Sequence, residues 1–271
     1  MSSILKIGFL GGGKIAQAMA KGFISAGLTK PQFITASVHP DDSASYESFS
    51  KLGATTLTEN IPVVKNSDAI FVAVKPYVVS DVLNEIKAES EGKLFLSVAM
   101  GITIDAIEKS LSSKSRVVRV MPNTPALVQC GCSVFVRGSK ATQEDLEVTS
   151  KLLSAIGTCE EVNENLLDPI TALSSSGPAF VFVMIESLAD GAVRMGLPRD
   201  LAYRLASQTV LGSGKLVRDS KIHPGQLKDD VTSPAGCTAA GLNHLELSGF
   251  RSAVAGAVEA ATKRCNEISG M

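Results

Sequence analysis

The chain has 271 residues, of which 45% are hydrophobic, so it is long enough to bury the core of one or two domains. Its 26 basic and 27 acidic residues leave a formal net charge of -1. This balance argues against a nucleic acid or an anionic membrane as the main partner, because both attract a strongly basic surface.

The N-terminal part of the chain, predicted as one domain over residues 1–163, alternates short apolar strands with amphipathic helices. This alternation predicts an α/β fold of the Rossmann type, with a doubly wound parallel sheet that binds ligands at the carboxyl ends of its strands. The strands are expected at Ile4–Leu10, Gln32–Ser37, Ala54–Leu57, Ala69–Val74, Leu94–Ala99, Val117–Met121, Ser133–Val136 and Thr158–Val162. Helix-like stretches between them include Tyr46–Leu52, Val79–Lys87, Ile104–Ser110 and Gln143–Ile156.

A glycine turn follows the first strand. Gly11-x-Gly13-x-x-Ala16 stands between that strand and an apolar stretch at helical spacing, which is the context that a dinucleotide fingerprint requires. Gly11 permits the tight turn, Gly13 lets the backbone approach a pyrophosphate, and Ala16 lets the helix pack closely on the strand. The free N–H groups of the helix then face the anion. The motif favours a nicotinamide dinucleotide over a purely structural turn, and Lys14 either steers the phosphates or faces solvent.

The end of the second strand bears on which nicotinamide cofactor is used. NAD enzymes place an acidic residue there to bind the ribose 2′-hydroxyl, but here the strand runs into Ser37-Val38-His39-Pro40 and the first carboxylate is Asp41. Ser37 can donate a hydrogen bond to a 2′-phosphate, and His39 can add partial positive charge. We therefore expect NADP(H) as the preferred cofactor, with NAD(H) possible. The alternative is that both are ordinary loop residues.

From residue 164 on, strand-like alternation ends and long helices take over, so a second, all-α domain is predicted over residues 164–271. The helix after Pro178 is apolar nearly all round from Ala179 to Ile185, which requires burial on every face. A helical domain of this size hardly encloses such a helix alone, so we expect a homodimer interface. No apolar run is expected to reach the length of a membrane span, because this one stops at Glu186.

The cysteines and histidines indicate neither a disulfide framework nor a metal site. The five cysteines form no Cys-x-x-Cys pair, and the three histidines are isolated. An odd cysteine count, with no targeting segment before the first strand, fits a reducing and therefore cytoplasmic location. No metal is expected. Cys130-Gly131-Cys132 is interpreted as structural, since its spacing fits neither a redox pair nor zinc.

Four further motifs follow along the chain in a specific order. They are Val74-Lys75-Pro76, Asn123-Thr124-Pro125, Ser176-Gly177-Pro178 and Ser233-Pro234-x-Gly236-x-Thr238. In order and spacing they resemble the pyrroline-5-carboxylate reductase family, from Ile4 to about Ile268. That family makes proline by reducing a cyclic imine with NAD(P)H. The resemblance implies helical domains that interlock in a dimer, and larger rings of dimers in some members.

The resemblance also implies which residues bind the ligands. Those expected around the cofactor are Leu10, Gly11, Gly12, Gly13, Lys14 and Ile15 at the pyrophosphate, Asn60 at the adenosine end, Ala73, Val74, Lys75 and Pro76 at the nicotinamide ribose, Val98, Ala99 and Met100 beside it, and Asp230. Those expected around the substrate are Glu164, Ser233, Gly236, Cys237 and Thr238. In the family the substrate lies between the cofactor of one subunit and the loop from Ser233 to Thr238.

The family's substrate is a five-membered imine that bears a carboxylate. Backbone N–H groups at Gly236, Cys237 and Thr238 suit that carboxylate, and Ser233 adds a hydroxyl donor. The cofactor supplies the hydride, so the protein mainly positions the two reactants. Thr238 is the catalytic candidate. Its hydroxyl is expected to orient and polarise the imine nitrogen, whose proton comes from solvent or with the substrate.

Two positions of this loop depart from the family pattern, which has glycine at Ala235 and a small residue or threonine at Cys237. Because alanine disfavours positive φ, we expect Ala235 to lie in an ordinary region of backbone conformation. Cys237 is either a reactive thiol at a helix N-terminus, open to inhibition by alkylation, or a small inert filler.

Three alternatives stay open. A β-hydroxyacid or prephenate-type dehydrogenase shares the two-domain plan, but it needs a lysine or histidine acid/base, and neither Lys215 nor Lys221 stands in a suitable motif. A non-catalytic NADP sensor would keep the fold, against which Ser233 and Thr238 argue. A six-membered cyclic imine differs from the five-membered one by a methylene, which is discriminated by only about 1–3 kcal/mol.

Overall fold

The structure is a computed structural model that describes residues 5–269. The chain forms two compact units. The first holds the described residues up to Ser175 together with those from Lys263 on, and the second holds Ser176–Thr262. The predicted domain boundary between residues 163 and 164 stays a prediction, because these units are defined by packing and divide the chain elsewhere. Ile4, where the first strand is predicted to begin, lies outside the described residues.

The first unit is built on one sheet of eight strands among the described residues. Their order across the sheet is β3-β2-β1-β4-β5-β6-β7-β8, which confirms the doubly wound arrangement, with β3 and β8 at the edges. The strands are β1 (Ile7–Leu10), β2 (Ile34–Ser37), β3 (Thr55–Leu57), β4 (Ala69–Val72), β5 (Leu94–Ser97), β6 (Arg116–Met121), β7 (Gly131–Arg137) and β8 (Gly157–Glu161).

The alternating pattern predicts a parallel sheet, but one pair of neighbouring strands is antiparallel. β7 runs antiparallel to β6, whereas β7 and β8 are again parallel. A parallel crossover needs a dozen or more residues and usually a helix. Residues 122–130, which join β6 to β7, contain only the 3-10 turn Thr124–Val128, so the chain turns straight back.

Both faces of the central strands are covered. β1, β4 and β5 are buried at every position. On one face Phe9 stacks on Phe71, with ring centroids 5.2 Å apart, and also contacts Phe23 and Phe49. Burial on both faces explains why these strands are apolar without interruption rather than alternating. It also makes the carboxyl ends of the strands a rigid platform.

Helices flank the sheet much as predicted, with ends that shift by a few residues. Those of the first unit are α1 (Lys14–Ser25), α2 (Ser43–Lys51), α3 (Asn60–Lys65), α4 (Val79–Glu85), α5 (Ile104–Ser110), α6 (Gln143–Ser154) and α7 (Leu167–Ile170), the last continuing into a π-helical turn at Thr171–Ser175. Several begin at side-chain caps. Thr142, for example, forms a reciprocal capping box with Asp145 at the start of α6.

The second unit consists only of helices in the described structure. They are α8 (Gly177–Arg194), α9 (Arg199–Ser220), α10 (Pro224–Asp230), α11 (Cys237–Leu247) and most of α12 (Phe250–Ser269). The apolar helix after Pro178 is α8, and its own unit does not enclose it. Phe182 and Val183 remain 62% and 63% exposed in the single chain.

One expectation about apolar length is wrong. Among the described residues, the helical run Glu164–Arg194 has a mean hydropathy of 1.4 and could cross a membrane by length and composition, with 11% of its apolar window buried. The expectation considered only the uninterrupted apolar stretch that stops at Glu186. The Ser, Thr and Gly residues on either side are uncharged, so the longer helical run remains apolar enough on average to span a membrane. A single helix of this kind is weak evidence for a membrane, because apolar helices of water-soluble assemblies have the same composition.

Candidate active site

The turn after β1 has the shape that a ligand phosphate needs. Gly11 has φ of 98°, and a Cβ built there would lie 2.7 Å from the carbonyl oxygen of Ala73. Gly13 is the residue before α1, and a Cβ there would meet nothing within 4 Å, so the space above it is open. The start of α1 has no side-chain cap and no acidic residue in its first turn. Its N–H groups are therefore available to an anion, so the residues present fit a dinucleotide.

Three predicted cofactor segments meet at the carboxyl ends of the central strands. β1, β4 and β5 end side by side in register, and the ladder continues past their ends. The backbone N–H of Ala73 donates to the carbonyl of Leu10 at 2.7 Å, and that of Val98 donates to Val72 at 3.0 Å. The segments that this pairing brings together are 10–15, 73–76 and 98–100. Their contacts with a cofactor stay predictions.

Lys75 lies where β4 gives way to the 3-10 turn Pro76–Val78. Its Nζ is 5.9 Å from the ring centroid of Tyr77, which is 77% exposed. A cation over an aromatic face is weakly attracted to it. Lys75 therefore lies just beyond the carboxyl end of β4, where a contact with the cofactor is predicted.

At the end of β2 the structure departs from the expected arrangement of Ser37. This residue is 3% exposed, and its hydroxyl donates to Oδ1 of Asn60 at 2.7 Å. The amide nitrogen of Asn60 donates in turn to Oε2 of Glu85, also at 2.7 Å. The two predicted residues are brought together, but the serine hydrogen points to Asn60 instead of outwards. No sequence pattern indicates Glu85, because it stands 25 positions after Asn60 at the end of another helix.

The surface beyond β2 carries both signs of charge. His39 is exposed, and its Nδ1 lies 3.6 Å from the carboxylate of Asp41. Asp42 caps α2 by accepting from the backbone N–H of Ser45 at 3.0 Å. Hydrogen bonds from Ser45 hold the pKa of Asp42 below its usual value, and the charges of His39 and Lys75 lower it further. A role for His39 at a 2′-phosphate stays a prediction.

Glu164 forms an ion pair with a buried arginine that no sequence pattern indicates. Nη1 of Arg119, whose side chain is 3% exposed, is 2.9 Å from Oε1 of Glu164. The same oxygen accepts from the backbone N–H of Ile104, the first residue of α5, at 2.9 Å. Arg119 lies on β6 among aliphatic side chains, so an alternating strand pattern hides it. The predicted substrate residue Glu164 therefore also joins β6 to the start of α5.

Hydrogen bonds within the first unit join the segment of the Asn-Thr-Pro motif to Ser174 and Ser175, the residues that precede the Ser-Gly-Pro motif. The Asn123 amide nitrogen donates to the carbonyl of Ser174 at 3.0 Å, and its oxygen accepts from the backbone N–H of Cys132 at 2.8 Å. The Ser175 hydroxyl donates to the carbonyl of Pro122 at 3.4 Å. Asn123 is 8% exposed, so its side chain satisfies buried backbone groups of two other segments.

Neither the cysteines nor any acidic cluster forms a metal site in the described part of the chain, where no group of three or more His, Cys, Asp or Glu is suitably placed. Cys130 and Cys132 are exposed free thiols. Burial raises the pKa of Cys159 to about 11, although a hydrogen bond with Ser150 opposes this shift.

The loop before α11 contradicts the expectation for Ala235. Its φ is 55°, in the left-handed region, although alanine is disfavoured there. The chain reverses at this point so that the backbone N–H of Gly236 donates to the carbonyl of Ser233 at 3.1 Å. α11 then begins at Cys237 with no side-chain cap. The reversal suits a glycine, as in the family pattern described above, and it leaves the N–H groups of Cys237 and Thr238 open to an anion.

The remaining predicted residue of this region is Asp230, which ends α10. Its carboxylate accepts from Nε2 of Gln226 at 2.7 Å, one turn earlier in the same helix. Cys237 and Ser233 are exposed, and Thr238 is half-buried. The second unit thus holds five of the predicted residues, namely Asp230, Ser233, Gly236, Cys237 and Thr238, within one short segment.

A doubly wound sheet with an uncapped helix after a glycine turn defines a dinucleotide-binding protein of the Rossmann class. Comparisons with known proteins agree. A family model described as "NADP oxidoreductase coenzyme F420-dependent" matches residues 6–101, and one described as "Pyrroline-5-carboxylate reductase dimerisation" matches residues 164–268. Pyrroline-5-carboxylate reductase of Pisum sativum is 45% identical, over 99% of this chain and 98% of its own. Pyrroline-5-carboxylate reductase 2 of Bos taurus is 42% identical, over 98% of this chain and 85% of its own.

Solved structures give the same result. The Plasmodium falciparum pyrroline carboxylate reductase with NADP bound has a TM-score of 0.88 and 33% identity, covering 98% of each chain. The Coxiella burnetii pyrroline-5-carboxylate reductase has a TM-score of 0.89 and 32% identity, covering 98% of this chain and 99% of its own. The chain belongs to the pyrroline-5-carboxylate reductase family. The resemblance found in its motifs, and the Rossmann and helical fold classes, are therefore confirmed.

Replacing Ala235 by glycine should not destabilise the protein. In the folded state, the change relieves left-handed backbone strain of about 1–2 kcal/mol. In the unfolded state, the greater freedom of glycine costs about 0.4–1 kcal/mol of stability. The relief is the larger of the two, so the free energy of unfolding should rise slightly. Ala240→Gly, at an exposed position within α11, is the matched control and should cost about 1 kcal/mol. Urea denaturation of both variants checks this. Equal losses in the two would show that residue 235 is not strained.

Glu164→Ala should lower the free energy of unfolding by about 2 kcal/mol, because it removes a carboxylate partner of the buried Arg119 and an acceptor at the start of α5. Glu164→Gln, which retains an acceptor oxygen, should lose about half as much. Glu161→Ala breaks a surface pair with Arg137, 3.7 Å apart, and should cost less than about 1 kcal/mol. Denaturation midpoints measure all three. A loss for Glu164→Ala no larger than for the surface control would contradict a structural role of the pair.

Proposed function

We propose that this protein reduces 1-pyrroline-5-carboxylate to L-proline by hydride transfer from NAD(P)H, the last step of proline biosynthesis. The observation that carries the proposal is identity above 40% to relatives of that name along nearly the whole chain. The four motifs and an anion-receptive turn in each unit support it. Membership of the family makes an oxidoreductase the expected class of enzyme.

The residues of the first unit would hold the cofactor. The N–H groups at the start of α1 would bind the pyrophosphate, and Ser37 and Asn60 would face the adenosine ribose. The segment from Ala73 to Pro76 would line the nicotinamide ribose, with Val98–Met100 beside it. When bound, the reduced nicotinamide supplies the hydride. The NADP-bound relative supports a preference for NADP(H), with NAD(H) as an accepted alternative.

The loop of the second unit would bind the substrate. Its carboxylate needs several donors. The N–H groups of Cys237 and Thr238 lie at the uncapped start of α11 and are open to it, whereas the N–H of Gly236 donates to the carbonyl of Ser233. The Ser233 hydroxyl adds another donor. This arrangement would orient the ring so that the imine carbon faces the cofactor, and orientation of two reactants is worth about 7–11 kcal/mol in good cases.

Thr238 would bind the imine nitrogen. Its hydroxyl is too weak an acid to protonate the imine itself, so its role is to orient and polarise the C=N bond. The proton on nitrogen would come from solvent or arrive with the substrate. Glu164, held in the first unit by Arg119 and the backbone N–H of Ile104, is kept as a candidate substrate residue.

An alcohol dehydrogenase of similar plan is less well supported. It needs a lysine or histidine free to exchange a proton with substrate. Lys215 is instead paired with Asp219 one turn later on α9. Lys221 ends the same helix in a left-handed conformation, with φ of 57°. A non-catalytic NADP sensor is the alternative from another class, and turnover distinguishes it.

We also propose that the second unit forms a homodimer, and that dimers assemble into larger rings. The family's dimerisation model covers this region, and α8 exposes apolar residues that a second copy would bury. We place the protein in the cytoplasm, with no nucleic acid or membrane partner. The balanced charge of the chain supports the absence of a nucleic acid partner. Burial of α8 between subunits would account for its apolar length without a membrane. Size-exclusion chromatography with light scattering reads the subunit number.

The first experiment follows oxidation of NADPH, and separately of NADH, by the purified protein after addition of 1-pyrroline-5-carboxylate. Rapid oxidation that stops when the imine is left out is the expected result. A parallel assay with the six-membered imine tests ring size. Nucleotide binding without any imine-dependent oxidation would overturn the reductase and support the sensor.

Thr238→Ala should lower kcat/KM for the imine about tenfold to hundredfold, since a hydrogen bond to a charged partner contributes about 1.5–3 kcal/mol. The Kd for NADPH should change by less than about twofold, because the hydroxyl is assigned to substrate and not to cofactor. Thr238→Ser keeps the hydroxyl and is the control that should remain close to the unchanged enzyme. Full kcat/KM in the alanine variant would remove Thr238 from the mechanism.

A further inference from the structure

Ser37, Asn60 and Glu85 are joined by two hydrogen bonds near the end of β2. Glu85 determines which group donates and which accepts in both bonds. The carboxylate of Glu85 only accepts, so the amide nitrogen of Asn60, 2.7 Å away, must face it. The carbonyl oxygen of Asn60 then faces Ser37, whose hydroxyl donates to it at 2.7 Å. Glu85 thereby decides where the hydrogen of Ser37 points.

This direction limits the donors that a ligand meets. Ser37 and Asn60 carry one hydroxyl and two amide hydrogens between them. One is engaged with Asn60 and one with Glu85, so a single amide hydrogen remains. If the amide turned over, it would donate to the Ser37 oxygen, and the hydroxyl hydrogen would lose Asn60 as its acceptor. The carbonyl oxygen of Phe9 is another acceptor near this hydroxyl, but it lies 3.5 Å away, beyond the roughly 2.5–3.0 Å of a good O–H···O hydrogen bond. The pair would then offer one more donor to a ligand.

We propose that Glu85 is a positioning residue that weakens the preference of this site for a 2′-phosphorylated adenosine ribose. A phosphate accepts hydrogen bonds only, whereas a ribose 2′-hydroxyl also donates. With Glu85 in place, the oxygen of Ser37 meets the ligand with lone pairs, which suits the hydroxyl and not the phosphate. The inference rests on the proposed function only in placing the adenosine of the cofactor at the end of β2.

The test must separate the direction of these hydrogen bonds from simple repulsion between carboxylates and the 2′-phosphate. Asp41 and Asp42 also carry carboxylates beyond β2, and His39 and Lys75 are the basic side chains beside them. Any exposed carboxylate repels a phosphate, but salt screens that repulsion, with a Debye length of about 10 Å at 0.1 M and about 3 Å at 1 M. The direction of a hydrogen bond between neighbouring side chains does not depend on salt in this way.

The test is Glu85→Gln in the full chain, studied by nucleotide binding. Glutamine keeps the shape but can donate to Asn60, so the amide is able to turn. Calorimetry compares the Kd of adenosine 5′-monophosphate with that of adenosine 2′,5′-bisphosphate, and NADH with NADPH as a second pair. We expect preference for the phosphorylated member to rise about threefold to tenfold, the worth of one hydrogen bond of 0.5–1.5 kcal/mol, at both low and high salt.

Asp41→Asn is the matched control, because it removes one carboxylate beyond β2 without contacting Asn60. Its effect on the preference should disappear at high salt. An unchanged preference in Glu85→Gln, or a change that salt abolishes as in the control, overturns the proposal. Glu85→Ala, which leaves Asn60 without its acceptor, should shift the preference in the same direction. A protein that shows these shifts without reducing the imine would refute the proposed function and leave this inference standing.

Discussion

The approach of the Gly11 turn to the backbone after β4 is the constraint on which the nucleotide side of the molecule depends. The N–H of Gly11 donates to the carbonyl of Ser37 at 3.0 Å, while Leu10 accepts from Ala73. One turn therefore joins β1 to both of its neighbours. Because a side chain at Gly11 would collide with Ala73, the start of α1 and the segment around Lys75 are positioned together.

A second constraint lies in the buried amide of Asn123. It connects the segment after β6 with β7 and with the turn before α8, so the Asn-Thr-Pro motif has a structural role in this unit. A motif that identifies a family can thus also hold the fold together. The loop from Ser233 to Thr238 differs from it, because exposed polar groups of this loop have little packing to support.

The sheet was predictable because β1, β4 and β5 are buried on both faces and so carry uninterrupted apolar residues. The direction of β7 was not, since it depends on the short connection after Met121 and not on periodicity. Arg119 and Glu85 escaped prediction because each acts on a residue far away in sequence. Ala235 was misjudged because steric preference alone ignores how a short loop must reverse to begin α11.

The outer edge of the sheet has a consequence for association. β8 is an edge strand with a free row of backbone groups, and Glu160 and Glu161 at its end are exposed. Charged side chains on an edge strand discourage it from pairing with the edge of another sheet. In a family that associates through a helical domain, this charged edge would disfavour a second mode of association in which the sheets of separate copies merge.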